Sequence, residues 1–407
     1  MTEIKPRYLV MVTASANNNK YYKQIPHGDS WTAEYGRIGS SPQKREYLMR
    51  QWESKYNEKI KKGYVDQSDL VEDLITIQKR NKLNFEYKQI ENSVIAEIVH
   101  KLQAMAKKAI SDNYNISSNK VTQAMIDEAQ NVLTSLININ DLELFNEKLL
   151  KLFTVIPRKM SNVSCYLAST KDEYSKIIQT EQDLLDVMKG QVVQKQIKDE
   201  VEEENNLEKH PITILEALEL EFSECSKEDI KKIKSVLGSC GDRFHQAWCV
   251  TNKKTQEKFD RFIHDENITN RKLLWHGSRN ENWWSIINSG LVLKPTNAMI
   301  TGKMFGYGIY YAPKARKSLG YTSINGSYWA KGNSSSAFMA LMDVAYGKPY
   351  DVYSFDSKYY SFNYERLQAA CPNANCLHAH EGTMLRNDEI IVYKEEQCTI
   401  KYLVELK

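Results

Sequence analysis

The spacing of apolar residues changes twice along this chain, and these changes constrain the fold more than any single motif. Up to about residue 80, β-type runs alternate with turn residues; from 92 to 198, apolar residues recur at i, i+3 and i+4; beyond 207, short strand-like runs return among loops. We therefore predict a multidomain α and α+β protein. Its domains would be a small β-sheet plus helix domain at 1–80, an all-α bundle at 92–204, and a mixed, mainly antiparallel α+β domain at 207–407.

The first region has the pattern of a small sheet crossed by a helix. The strand-like runs are Arg7 to Thr13, Tyr21 to Ile25 and Ser30 to Ile38. Ser41 can cap a helix that begins at Pro42, and Gly63 can end it. The apolar stripe of this helix would be Leu48, Trp52, Tyr56 and Ile60. The polar segment from Asp66 to Glu91 is predicted to be a linker.

The second region predicts amphipathic helices at about 95–106, 121–136 and 142–153, followed by a long helix. A capping box can start the long helix in two ways, through Ser169 with Asp172 or through Thr170 with Glu173. The acidic run from Asp199 to Glu204 is predicted to be a solvated hinge.

Charge and cysteine content bound the function. Residues 1–63 carry twelve Lys or Arg against six Asp or Glu, which fits either an anionic partner or a solvated basic face. Seven scattered cysteines favour a reducing compartment, and no apolar run is long enough to cross a membrane. We therefore expect a soluble, intracellular protein. The spacing of Cys371, Cys376, His378 and His380 is not that of a zinc finger, so we predict no metal site.

Three segments of the last region carry chemical groups. In Leu273–Arg279, an apolar strand-like run ends in His276, Gly277 and Ser278, which offer side-chain and backbone hydrogen bonds. A glycine-rich loop then leads to Tyr310 in an aromatic strand, and Tyr321 follows. Two tyrosines on neighbouring segments can sandwich a flat ring, but without the third segment tyrosine packing in a core is the favoured explanation.

The third segment places a carboxylate at the opening of an apolar strand. Glu389 follows Asn387 and Asp388 and precedes Ile390 to Tyr393. A carboxylate in a cleft can hydrogen-bond a sugar hydroxyl or take a proton from an acceptor, whereas an exposed strand end needs no function. Taken alone, the segment favours the second explanation.

Together these motifs closely resemble the catalytic domain of poly(ADP-ribose) polymerases, with its His-Tyr-Glu triad. The likeness extends from about residue 210 to the C-terminus. Glu34 to Gly39 is similar to the signature of the WGR domain, and the helical region matches the position of the family's autoinhibitory regulatory domain. The resemblance implies an NAD⁺-consuming transferase that releases nicotinamide and builds poly(ADP-ribose).

The resemblance also implies roles for single residues. His276 would bind the adenosine-side or nicotinamide ribose, and Ser278 the adenine ribose. Gly277 would pair with the nicotinamide amide, helped by the Ser318 hydroxyl. Tyr321 would stack on the nicotinamide ring, with Tyr310 on its other side. The implied NAD⁺-binding residues are therefore His276, Gly277, Ser278, Lys317, Ser318 and Tyr321, with Lys317 near the reacting end. The implied catalytic residues are Glu389, His276 and Tyr310. Glu389 would hold the nicotinamide-ribose 2′-OH and polarise the acceptor.

The implied partners are NAD⁺, protein acceptors, the growing polymer, and DNA ends or nicks, with no membrane, no metal and a monomeric state. Tyr35 and Arg37 would contact DNA, although Tyr35 stands where the family has Trp. Val292 and Lys303 also depart from the family, the first losing an NAD⁺ contact and the second altering the acceptor side. We expect a nuclear location in a eukaryote and a cytosolic or nucleoid one in a bacterium. Alternatives are a mono-ADP-ribosyltransferase and a DNA-binding scaffold with a silent catalytic fold.

Overall fold

The computed structural model describes residues 4–69, 87–114, 121–208, 212–293, 304–324, 332, 334–382 and 385–407. The contacts divide the chain into two compact units. The first is Met1–Phe85 with Lys107–Val192, and the second is Glu86–Ala106 with Val193–Lys407. The three-domain division stays a prediction. The mixed fold class is confirmed, and the strands of the last region are antiparallel in every pairing except one.

The first unit begins with an antiparallel sheet. Its strands are β1 (Arg7–Thr13), β2 (Asn18–His27), β3 (Ser30–Arg37), β4 (Gln43–Leu48) and β5 (Val65–Asp66), in the order β4-β3-β2-β1-β5, and helix α1 is Trp52–Lys61. Trp31 is completely buried, and its ring meets that of Trp52 edge-on at 5.5 Å. Burial of these two large rings fixes α1 against the sheet.

The prediction of a helix that begins at Pro42 is wrong for the residues before Trp52. Residues 43–48 form β4, and a 3-10 turn at Met49–Gln51 leads into α1. The strand wins because Tyr47 pairs across from Trp31 and stacks on its ring at 4.7 Å. Leu48, which the helical stripe would have buried, is 52% exposed.

The helices α2 (Ser93–Asn113) and α5 (Tyr174–Glu208) contribute residues to both units, whereas α3 (Gln123–Leu136) and α4 (Leu142–Val155) belong to the first. Of the two possible capping boxes, Thr170 with Glu173 is the one formed. The hinge predicted at Asp199–Glu204 is wrong, because the backbone stays helical to Glu208. The first part of the predicted linker, at Asp66, pairs with β1, and residues 70–86 lie outside the described residues.

The second unit contains two sheets. Its elements are α6 (Ile214–Ala217), β6 (Leu220–Glu224), α7 (Lys227–Leu237), β7 (Phe244–Asn252), α8 (Lys253–Asp265), β8 (Arg271–Gly277), α9 (Trp283–Ser289), β9 (Ile309–Tyr311), α10 (Ala315–Leu319), β10 (Ala337–Ala345), β11 (Pro349–Val352), α11 (Tyr364–Ala370), β12 (Cys376–Ala379), β13 (Glu389–Val392) and β14 (Cys398–Leu406). One sheet has the order β6-β7-β14-β10-β8, and the other has the order β11-β12-β13-β9 with β11 and β12 parallel.

The core of the second unit explains its apolar runs. Every residue of β10 except Asp343 is buried, so this strand is covered on both faces. The second sheet has its own core of aromatic and aliphatic side chains, which includes Phe305, Phe362 and Ile391. Among the helices that the structure describes, we find none whose length and apolar content would let it cross a membrane.

Candidate active site

Backbone pairing brings the three chemical segments of the second unit to one corner. Trp275 in β8 donates its N–H to the Ala312 carbonyl at 2.9 Å, and the reverse hydrogen bond is 3.0 Å long. Ala312 follows β9, in which Tyr310 pairs with Ile391 of β13. The ends of β8, β9 and β13 therefore converge where the two sheets meet.

His276 is fixed at this corner by the backbone of β9. Its ring Nδ1 lies 3.0 Å from the Tyr310 carbonyl oxygen, so Nδ1 carries a proton and donates it. In the neutral form of the ring, this tautomer makes Nε2 the acceptor nitrogen. Trp283 and Tyr311 meet the imidazole edge-on, with ring centroids 6.3 and 5.8 Å away. The strand end thus holds the ring in one tautomer and one orientation.

Glu389 opens β13 and is 7% exposed. The Lys317 Nζ atom, from α10, lies 2.5 Å from Glu389 Oε1. Burial alone would lower the pKa of Lys317, but the negative charge of Glu389 and the Tyr321 hydroxyl raise it. Lys317 therefore stays cationic at neutral pH and orients the carboxylate through a charge-assisted hydrogen bond.

The two tyrosines of the site have different surroundings. The Tyr310 hydroxyl accepts from the Phe305 N–H at 2.9 Å and donates to the Gly306 carbonyl at 3.1 Å. Burial, followed by the nearby Tyr393 and Glu389, raises its pKa well above the usual value, so it remains a neutral donor. Tyr321 is 36% exposed, and the Lys317 ammonium lies 5.8 Å from its ring centroid. A partly exposed tyrosine ring beside an ion pair can stack on a flat ligand ring.

The sequence of this unit matches a known catalytic domain. Residues 220–407 match the family model described as the poly(ADP-ribose) polymerase catalytic domain. The chain belongs to the poly(ADP-ribose) polymerase family. The catalytic domain of this family uses NAD⁺ as its substrate, and the matched residues contain β8, β9, α10 and β13, which together build the corner.

Individual relatives cover different shares of the chain. It is 33% identical over 233 residues to the uncharacterized protein 101L of Invertebrate iridescent virus 6, which covers 56% of this chain and 93% of the viral protein. It is 24% identical over 351 residues to human poly [ADP-ribose] polymerase 2, covering 77% of this chain and 58% of that protein. Zebrafish poly [ADP-ribose] polymerase 1 is 28% identical over 228 residues, or 54% of this chain and 21% of that protein. The chain thus spans less than two thirds of these two polymerases.

Within the polymerase domain, Gly277 and Ser318 already contact each other. A Cβ atom on Gly277 would lie 2.0 Å from the Ser318 carbonyl oxygen, so only glycine fits here. The Ser318 hydroxyl is buried and donates to the Trp275 carbonyl at 3.0 Å. This hydroxyl can still accept a hydrogen bond, for instance from an amide N–H. The predicted nicotinamide contacts of both residues stay predictions.

Ser278 is also held in place within the candidate site. Its hydroxyl accepts from the Asn282 amide at 3.1 Å, an interaction that the sequence analysis missed. The signal available in the sequence was that Asn282 lies four residues after Ser278, which directly follows the end of β8. Tyr393 was also missed; its hydroxyl donates to the Phe305 carbonyl at 2.7 Å and so supports the segment that Tyr310 holds. Lys303 lies outside the described residues.

The predicted DNA contacts belong to the first unit, outside the matched polymerase domain. Arg37 donates through Nη1 and Nη2 to the Asn17 carbonyl at 2.8 Å, the Met160 carbonyl at 2.9 Å and the Ser161 carbonyl at 2.7 Å. Tyr35 is half-buried, with its ring 6.0 Å from that of Tyr22. These contacts give both residues a structural role, and DNA binding by either stays a prediction.

Proposed function

We propose that this chain transfers ADP-ribose from NAD⁺ to protein acceptors and then to ADP-ribose itself, releasing nicotinamide at each step. The observation that carries the proposal is the buried carboxylate of Glu389, oriented by Lys317 at 2.5 Å and placed at the same corner as His276 and Tyr310. The family match supports ADP-ribosyl transfer in general, and the carboxylate supports chain growth in particular.

The chemistry follows from the charges at this corner. Breaking the bond between nicotinamide and ribose leaves positive charge on the sugar, as in glycoside cleavage. A fixed carboxylate stabilises that charge more in the transition state than in the ground state. Nicotinamide leaves as a neutral molecule from a cationic ring, so no general acid is needed for its departure. A hydroxyl of the acceptor then attacks, and Glu389 is placed to accept its proton.

Chain growth is tested by replacing only the carboxylate. Glu389→Gln keeps the size of the side chain and removes its charge. Incubation with labelled NAD⁺ should give a polymer smear with the native chain, and at most a single shifted band or slow NAD⁺ hydrolysis with the variant. Positioned acid–base help contributes roughly 10²–10⁴-fold to a rate, which sets the size of the expected loss.

Glu405→Gln is a matched control, because Glu405 is also a buried carboxylate paired with a lysine, Lys101, at 2.7 Å. It lies in β14 and takes no part in the proposed chemistry. The rate of nicotinamide release by Glu405→Gln should stay close to that of the native chain. Long polymers from Glu389→Gln would refute the role of Glu389.

Two alternatives are separated by the same assay. A mono-ADP-ribosyltransferase would give a single band from the native chain, and Glu389 argues against it because mono-transferring relatives usually lack this residue. A scaffold with a silent catalytic fold would release no nicotinamide at all, even with broken DNA present. The predicted change at Lys303 is the feature that keeps the first alternative open.

We further propose that broken DNA stimulates the enzyme through the first unit. Two observations support this: residues 1–63 contain twelve basic and only six acidic residues, and Glu34 to Gly39 is similar to the WGR signature. Phosphate contacts make such binding weaken as salt rises. Nicked DNA should raise nicotinamide release at low salt and lose this effect at high salt. Equal rates with and without DNA would remove this part of the proposal. We also propose that the protein is intracellular, where it would meet broken DNA.

A further inference from the structure

A second cluster of chemical groups lies on the sheet that carries Glu389. Asp351 in β11 pairs in parallel register with His378 in β12, and His380 follows directly after β12. One ligand atom from each of these three side chains lies within 4.8 Å of the others. The Asp351 Oδ1 atom is 2.7 Å from His380 Nε2 and 3.8 Å from His378 Nδ1.

The other ring nitrogen of His378 has the partner that a metal-binding histidine needs. His378 Nε2 lies 3.3 Å from Asp388 Oδ2 and donates to it, which leaves Nδ1 as the nitrogen with the lone pair. The second oxygen of Asp388 accepts from the Glu381 N–H at 2.7 Å, so this carboxylate is itself fixed. A carboxylate behind a histidine holds the ring and increases its basicity toward an ion.

The two imidazole rings are stacked, with centroids 3.9 Å apart. Among the described residues near Asp351 and Asp388, the Lys272 ammonium lies over the Tyr346 ring at 3.5 Å, and the Lys314 ammonium is paired with Glu381 at 2.6 Å. The cluster therefore attracts a cation.

Access and space are also compatible with an ion. The Asp351 side chain is 41% exposed and that of His380 is 25% exposed, so an ion can enter from solvent. The Tyr346 hydroxyl now lies 2.8 Å from His378 Nδ1 and marks the direction of its lone pair. A bound ion would replace this hydrogen bond and the one that His380 Nε2 donates to Asp351 Oδ1, and the Tyr346 hydroxyl would turn aside.

We propose that Asp351, His378 and His380 form a Zn²⁺ site, with Asp388 as the carboxylate behind His378 and water as the fourth ligand. Two imidazoles and one carboxylate are ligands that Zn²⁺ accepts in tetrahedral geometry. The ion would join β11 to β12 and hold Asp388, the residue before Glu389. The prediction of no metal site weighed Cys371, Cys376, His378 and His380, whereas the proposed set keeps the two histidines and has Asp351 in place of the cysteines. Cys376 donates its Sγ–H to the Tyr346 carbonyl at 3.2 Å and is not part of the cluster.

The test uses the full chain, stripped of metal with a chelator and titrated with Zn²⁺ by calorimetry. The native chain should bind a single ion with a Kd of about 1 µM or tighter, and Zn²⁺ should raise its Tm. His380→Ala and Asp351→Asn change partly exposed side chains, so both should fold. Each should weaken binding by more than the roughly 10–100-fold expected when the outer carboxylate is removed in Asp388→Asn.

His264→Ala is the matched control. His264 also forms a His–Asp pair, with Asp265 at 3.0 Å, but among the described residues it does not belong to a group of three potential metal ligands. Its Zn²⁺ affinity and Tm shift should equal those of the native chain. Co²⁺ added in place of Zn²⁺ should show tetrahedral d–d bands without thiolate charge-transfer absorption. No Zn²⁺ binding by the native chain, unchanged binding by both His380→Ala and Asp351→Asn, or a thiolate signal with Co²⁺ would each overturn the site.

Discussion

Gly277→Ala tests the packing on which the candidate active site depends. The added Cβ would lie 2.0 Å from the Ser318 carbonyl oxygen and 2.8 Å from its carbonyl carbon. Because real Cβ contacts do not fall below 3.0 Å, the two backbones must separate by at least 1.0 Å. Both contacts involve backbone atoms, so no side-chain rotation can relieve them.

The separation would act on several groups at once. Moving Ser318 strains its hydrogen bond to the Trp275 carbonyl, now 3.0 Å long, and shifts the neighbouring Lys317. Overpacking of this kind costs about 1–3 kcal/mol of unfolding free energy. A displacement of about 1 Å at a reacting centre can reduce the rate about 10²-fold. We therefore expect a lower Tm and a much larger loss of nicotinamide release.

The assay compares Gly277→Ala with Gly241→Ala by thermal unfolding and by the rate of nicotinamide release. A Cβ on Gly241 would have no heavy atom within 4 Å, so that variant should stay within about ±0.5 kcal/mol of the native chain and keep its activity. If Gly277→Ala were as stable and as active as the control, the close approach of β8 and α10 would not hold the site.

Three further predictions concern single side chains. Lys317→Met leaves the buried Glu389 without its cation, so the unfolding free energy should fall by about 3–5 kcal/mol, and urea denaturation should show recovery when Glu389→Gln is added. Arg37→Ala removes three hydrogen bonds to backbone carbonyls and one to Asn17 Oδ1, and it should cost at least about 1.5–3 kcal/mol in thermal unfolding; an unchanged Tm with weaker DNA binding would instead support a direct contact. The Tyr402 hydroxyl, 2.6 Å away, and then the Ser226 hydroxyl lower the pKa of Asp229, so this contribution to stability is present above the usual pKa of about 3.9 and is lost as pH falls through the lower native value. Asp229→Asn should reduce the slope of unfolding free energy against pH in that acid range, and an unchanged slope would contradict the assignment.

The error at Pro42 shows where local pattern fails. Spacing by four residues correctly placed Trp52 on α1 but extended the helix back over a strand. The deciding contact, Tyr47 on the Trp31 ring, joins residues sixteen apart in sequence and cannot be seen in a local window. A Ser-Pro pair suits both a helix start and the turn before a strand, so the local signal could not separate them.

The prediction of a hinge at the acidic run 199–204 failed for a related reason. A block of like charges predicts solvent exposure, but exposure does not end a helix, and Glu has good helix propensity. The capping box at Thr170 was predictable because its two partners lie three residues apart. Contacts within one turn of chain were therefore accessible from sequence, whereas the pairing of β3 with β4 and the Asp351–His378 register were not.

The candidate site also shows why motif likeness and ligand contact are different claims. Gly277 is required by the Ser318 backbone, and the Tyr310 hydroxyl is held between Phe305 and Gly306. These residue types would be needed to build the corner even if it bound nothing. The Lys317–Glu389 pair differs, because a carboxylate and an ammonium lose hydration on burial and an apolar pair could replace them with no loss of packing. A charged pair beside a partly exposed tyrosine therefore needs a chemical reason, and variants of Glu389 test the enzyme more directly than variants of the glycine or the tyrosine do.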